Sequence, residues 1–159
     1  MTNKTLETRQ VSRRELFSLF GAGTLAAMGI GIAGPAFADA KAVDAAIAKI
    51  TGGKAAGSGK ITMDVPQIAE NGSTVPITVN VDSPMTDASH VKTLHVWADG
   101  NPSPEVASFH FTPMSGKAYV STRIRLAKTQ NVVTLAEMSD GSFTMAKAEV
   151  KVTIGGCGG

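Results

Sequence analysis

The sequence predicts an all-β domain over residues 60–154, an antiparallel sandwich of immunoglobulin-like type with about seven strands. Three observations carry this. Five segments alternate apolar and polar residues with a period of two, as strands with one buried and one wet face do. Turn-forming residues separate the segments at short, regular intervals. Helical periodicity is confined to a stretch before the first strand.

That stretch, residues 40–51, places Val43, Ile47 and Ile50 at helical spacing among alanines and lysines, a short helix with a thin apolar stripe. Gly52-Gly53 end it, and Gly57-Ser58-Gly59 continue as a loop, so residues 39–59 form a helix and linker. Ile61, Met63 and Val65 open the alternation. Val75, Ile77, Val79 and Val81 follow, with Pro76 at the start or on the edge of its strand because proline cannot donate to a ladder. Residues 91–98 and 132–138 are apolar on both faces and predict strands buried on both. Ala107, Phe109 and Phe111, then the alternate positions from Ala118 to Leu126, then those from Ala146 to Ile154, complete the set. Asn71-Gly72, Ser83-Pro84, residues 99–102, 113–116 and Asp140-Gly141 supply the turns, and Asp140-Gly141 between two strands is a strong hairpin signal. In the strand 91–98, Leu94 and Val96 share one face, and Trp97, His95, Thr93 and Val91 the other. If Leu94 and Val96 face the core, the Trp97 face is a candidate partner surface, with a plain core tryptophan as the alternative.

The chain of 159 residues is long enough for one domain with an ordinary core. Residues 1–38 hold four bases (Lys4, Arg9, Arg13, Arg14) and two acids (Glu7, Glu15) of the 15 bases and 13 acids in all. Eleven of each sign are left for residues 39–159, whose balance leaves no basic cluster for nucleic acid. The first 38 residues have the form of an export signal. A twin-arginine pair, Arg13-Arg14, precedes an apolar run at residues 16–32; Gly34-Pro35 follows, then Ala36-Phe37-Ala38, whose small residues suit signal peptidase. The expectation is cleavage after Ala38 and a periplasmic mature chain exported by the twin-arginine route. Five glycines between Gly21 and Gly34 weaken the alternative of a retained membrane anchor. That route carries folded proteins, often with a cofactor or partner already bound; no cofactor motif is present, which favours a partner.

The chain ends Gly155-Gly156-Cys157-Gly158-Gly159. One cysteine excludes an internal disulfide and any multi-cysteine metal site within a single chain. Glycine flanks carry no side chains to pack, so residues 155–159 are expected to form a slim, mobile arm. From Ile154 to Cys157 such an arm spans roughly 10 Å when extended. With no basic neighbour in the arm and the terminal carboxylate close, the thiol is expected near or above its free pKa of roughly 8.5. It suits a covalent tether that other proteins activate better than a nucleophile with its own base. The bland alternative is an idle tail, or one that crosslinks two copies of a non-catalytic periplasmic scaffold or adhesion sandwich through intermolecular disulfides.

The terminal Gly-Gly-Cys-Gly-Gly, the twin-arginine leader and the single small β-domain resemble SoxY, the sulfur-carrier family of the SoxYZ complex in bacterial thiosulfate oxidation. Interior stretches resemble it too: residues 101–106 with Phe109-His110-Phe111, residues 121–126, and residues 136–141. The resemblance covers residues 39–159. It implies that Cys157 holds sulfur intermediates covalently while separate enzymes act on them, and that the chain is not itself an enzyme. It implies a heterodimer with SoxZ. It implies visits to the c-type cytochrome complex SoxAX, which couples thiosulfate to the thiol; to the dimanganese hydrolase SoxB, which releases sulfate; and to the molybdenum–haem dehydrogenase SoxCD, which oxidises the remaining sulfane sulfur.

Other chemistries find little support. His90, His95 and His110 lack a close ligand spacing, and Met63, Met85, Met114, Met138 and Met145 read as core or interface residues rather than copper ligands. No cofactor, metal or nucleic acid is expected. A G-x-S-x-G elbow is missing, and Gly52-Gly53-Lys54 lacks Walker spacing. Gly158-Gly159 resembles the end of ubiquitin-like thiocarboxylate carriers, but those need ATP, which an exported chain does not meet.

Overall fold

The computed structural model describes residues 40–156. Helix α1 (Ala40–Thr51) precedes eight strands: β1 (Ile61–Asp64), β2 (Ile68–Asn71), β3 (Val75–Val81), β4 (Val91–Ala98), β5 (Glu105–His110), β6 (Ala118–Ile124), β7 (Gln130–Met138) and β8 (Phe143–Ile154). A 3-10 turn, Pro113–Ser115, lies before β6. Two sheets face each other, one ordered β1-β3-β6 and the other β2-β8-β7-β4-β5. The sandwich is as expected, with two differences. β2 is an eighth strand: only Ala69 of its four residues is buried, so it carries no alternation to read. It also pairs in parallel with the second half of β8 (Ile68 beside Lys151, Ala69 beside Val152, Asn71 beside Ile154), so the sandwich is mixed rather than wholly antiparallel.

The main core lies between the sheets. Ile77 and Val79 of β3 meet Leu94 and Val96 of β4 and Val132 of β7, all essentially inaccessible to solvent. Burying each such side chain is worth about 2 kcal/mol. Pro76 lies beyond the last β1–β3 pair, Asp64 with Thr78, so on that side its missing N–H faces no strand.

The outer face of the larger sheet carries a second apolar layer. Val43, Ala46, Ile47 and Ile50 of α1 cover Trp97, Val133 and Leu135, which explains why β4 and β7 are apolar on both faces. Trp97 is only 2% exposed; its face is a second core under the helix and not an open partner surface. Val91 is displaced from that face: a register shift between Val91 and Thr93 turns it into the main core. The helix stops where Gly52 and Gly53 take positive φ and the Gly53 N–H reaches the Ala48 carbonyl at 3.2 Å. The linker is not loose, since Gly57 exchanges backbone hydrogen bonds with Phe143 and Met145 of β8 (2.8 and 2.9 Å).

Candidate functional site

Strand β8 ends at Ile154, and the cysteine motif, residues 155–159, follows it in the sequence. Cys157, Gly158 and Gly159 lie outside the described residues, as do Arg13, Arg14 and the rest of the leader. Gly155 and Gly156 are described, and they differ from the expected free arm. Both are held by the domain, because backbone from three separated segments meets there.

The Gly72 N–H, in the β2–β3 turn, donates to the Ile154 carbonyl (2.7 Å). The Leu126 N–H, just past β6, donates to the Gly72 carbonyl (2.8 Å), and the Gly156 N–H donates to the Leu126 carbonyl (3.0 Å). The three bonds form a circuit that starts on Ile154, the last residue of β8, and ends two residues beyond it on Gly156. Glycine is required here by closeness and not by backbone angle, since none of the three glycines adopts the left-handed conformation. A β-carbon on Gly72 would lie 2.2 Å from the Leu126 oxygen, one on Gly155 would lie 2.1 Å from the Ala127 oxygen, and one on Gly156 would lie 2.7 Å from the Gly72 oxygen.

A buried amide holds the middle segment. Asn101, 2% exposed, donates from Nδ2 to the Arg125 carbonyl (2.9 Å) and accepts at Oδ1 from the Ala127 N–H (2.9 Å). The same Oδ1 accepts from Gln130 Nε2 (2.8 Å), whose Oε1 in turn accepts from the Gly100 N–H (2.6 Å). Thr129 Oγ1 accepts from the Val152 N–H (2.9 Å), tying the same loop to β8 two residues before Ile154. Asn101 and Gln130 escaped the sequence reading: asparagine in Asp99-Gly100-Asn101-Pro102 looks like ordinary turn chemistry, and nothing local marks it as buried. Gly72, next to Asn71, carries only a turn signal in the sequence.

The histidines are dispersed in their bonding. His90 Nδ1 pairs with the Thr86 carbonyl (3.1 Å), and His110 Nδ1 with Thr93 Oγ1 (3.2 Å). His95 Nδ1 pairs with Ser108 Oγ (2.8 Å), and its ring stacks on Trp97 at a centroid distance of 5.4 Å. Burial pushes the His95 imidazole below its usual value, against the opposing pull of the Glu105 and Glu137 carboxylates. The serine stands between this histidine and Glu105, to which it donates at 3.4 Å, so no base is oriented as in a hydrolase. Among the described residues, no three His, Asp, Glu or Cys side chains come together as metal ligands. Met85 and Met138 lie in the main core, with Met63 packed on it; Met145 packs under the helix, and Met114 is exposed on the 3-10 turn. Among the described residues, no helix is long and apolar enough to cross a membrane.

The family model for the sulfur oxidation protein SoxY matches residues 47–157, ending on the cysteine. No curated protein matches the chain. Among solved structures, the sulfur carrier protein SoxY from Chlorobium limicola f thiosulfatophilum is similar at 37% identity and a TM-score of 0.58, over 73% of this chain and all of that one. The superoxide reductase (neelaredoxin) from Ignicoccus hospitalis is similar in fold, at 16% identity and a TM-score of 0.53, over 59% of this chain and 80% of that one.

Proposed function

The chain belongs to the SoxY family, and from that membership we propose that it acts in sulfur oxidation as a carrier that holds its cargo covalently on Cys157. The observation that carries this reading is the family match itself, which runs from inside α1 through the whole sandwich to the only cysteine in the chain. The described fold supports it in that β8 ends at Ile154, with only Gly155 and Gly156 between it and that cysteine in the sequence.

The chemistry asked of the chain is small. Loading joins Sγ to the sulfane sulfur of thiosulfate: the thiol gives up its proton, and the two electrons removed pass to the haem of the cytochrome complex, leaving a cysteine S-thiosulfonate. Water then attacks the terminal sulfonate sulfur, releasing sulfate and leaving a persulfide, in the active site of the hydrolase. Where the dehydrogenase acts, it would take six electrons from that outer sulfur into its own redox centres, with three waters supplying the oxygens and losing their protons, to leave a cysteine S-sulfonate; a second hydrolysis then releases sulfate and returns the thiol. The chain contributes a tether and no catalytic group, consistent with side-chain-free neighbours at Gly156 and Gly158 that keep access to each pocket narrow. SoxZ is the proposed stable partner, with SoxAX, SoxB and SoxCD as the enzymes visited. The periplasm is the proposed compartment, reached through Arg13-Arg14. Changing both arginines to lysine should block export, and unimpaired export would remove that step.

Intact-mass spectrometry of the chain from thiosulfate-grown cells tests the carrier role. Thiosulfonate or persulfide additions are expected on Cys157, and Cys157→Ala should abolish both the additions and thiosulfate oxidation while leaving Tm unchanged. Full oxidation by the alanine variant would overturn the reading.

A further inference from the structure

We propose that the three-glycine junction is a positioning clamp for the carrier cysteine, with Gly72, Gly155 and Gly156 as its contact points and Asn101 as its support. The proposal rests on the carrier reading. Its physical basis is independent of that reading: three backbone hydrogen bonds in circuit and three approaches too close for any β-carbon.

The clamp changes the reach of the thiol. An arm free from Ile154 onward spans roughly 10 Å to Cys157, whereas an arm seated at Gly156 leaves one Cα–Cα step of about 3.8 Å. The last fixed point of the chain thus moves from Ile154 to Gly156, next to the cysteine in sequence. A thiol confined near its productive orientation loses less freedom on entering a partner's pocket. Glycine at 155 and 156 serves this by close fit with neighbouring backbone.

The support is built to match. A loop held only by its own turn would let the Leu126 carbonyl drift, and the latch of Gly156 with it. Asn101 grips the backbone on both sides of Leu126, at the Arg125 carbonyl and the Ala127 N–H, and Gln130 fixes the Asn101 side chain in turn. Asn101 touches neither cysteine nor cargo; it is a positioning residue.

Gly155→Ala is the direct test, since residue 155 follows the last strand and its new β-carbon strikes the Ala127 oxygen without disturbing the core. In the SoxZ complex of the wild-type chain, amide hydrogen exchange at Gly156 is expected to be at least about tenfold slower than in an unprotected peptide. Gly155→Ala should remove that protection while the Leu135 amide is unaffected. In loading of Cys157 by the cytochrome partner, the same variant should raise KM several-fold and leave kcat within about twofold, as expected when preorganisation is lost rather than chemistry. Asn101→Ser should produce a weaker form of both effects. An unprotected Gly156 in the wild-type chain overturns the clamp. Lost protection with an unmoved KM overturns its positioning role. A wild-type chain protected at Gly156 yet never loaded with sulfur overturns the carrier reading, and the positioning role with it, while the clamp geometry stands.

Discussion

Strand β8 starts from a turn and ends in a clamp, and the two junctions are built in opposite ways. At its start, residues 139–142 close a hairpin mainly through bonds along the chain. Gly141 takes a φ of 76°, its N–H reaches the Met138 carbonyl at 3.0 Å, and Asp140 Oδ1 accepts from the Ser142 N–H at 2.8 Å. The partners of Gly141 and Asp140 are within a few residues, and only Ser139 reaches farther, exchanging hydrogen bonds with His90 (2.8 and 3.1 Å). At the other end, Ile154, Gly155 and Gly156 are fixed by Gly72 and Leu126, which are distant in sequence and belong to other connections. The hairpin needs glycine for its backbone angle; the clamp needs glycine for its missing β-carbon. One residue type therefore does two unrelated jobs on one strand, and only the first leaves a local trace.

The largest effect is expected where the clamp is supported. Asn101→Ala strips partners from the Ala127 N–H, the Arg125 carbonyl and Gln130 Nε2 at once. Leaving such buried groups unsatisfied costs about 3 kcal/mol. Urea denaturation should show this as a lower midpoint with an unchanged slope. A loss below about 0.5 kcal/mol would mean that water replaces the amide and the support is dispensable.

At the hairpin, Gly141→Ala is expected to cost about 1 kcal/mol, the price of a left-handed angle for a residue with a β-carbon. The nearest atom to that new carbon is Lys54 Nζ at 3.8 Å, an ordinary contact, so no collision contributes. Gly141→Asn should recover much of the loss, because asparagine tolerates that angle. The same pair of changes at Gly72 should behave differently. There, any side chain meets the Leu126 oxygen, and asparagine should be no better than alanine. Equal rescue at both sites, measured by Tm, would erase the distinction between the two kinds of glycine.

These differences mark what was legible in the sequence. The hairpin, the short helix and the alternating strands are written in residues close to one another, and β4 and β7 announced two-sided burial through their unbroken apolar runs. Which surface covers Trp97 was not legible, because the thin stripe of α1 does not say where it docks. β2 was missed since four residues with one buried side chain carry no period. The turn of Val91 into the main core follows from a register shift that depends on the partner strand. The clamp is the extreme case. Glycine next to a cysteine suggests freedom when read along the chain, and only the approach of Leu126, Ala127 and Gly72 shows it to be constraint.

The smallest expected effect sharpens the hairpin side through pH. Hydrogen bonds from the Ser142 hydroxyl and then its backbone N–H hold the exposed Asp140 carboxyl below its ordinary value of 3.8. The native chain thus binds fewer protons at this site than the unfolded chain in the window below 3.8. Its contribution to stability is complete above that pH and is lost as pH falls through the lowered native value. The contribution is modest, since the group is open to water. An NMR titration following the Ser142 amide should show a midpoint below 3.8, and Asp140→Asn should abolish the transition. The Gly156 amide, whose acceptor is a carbonyl, should show no matching step over the same range. A shared midpoint at Ser142 and Gly156 would show that the two ends of β8 open together, and the clamp would then be a consequence of the hairpin rather than a device of its own.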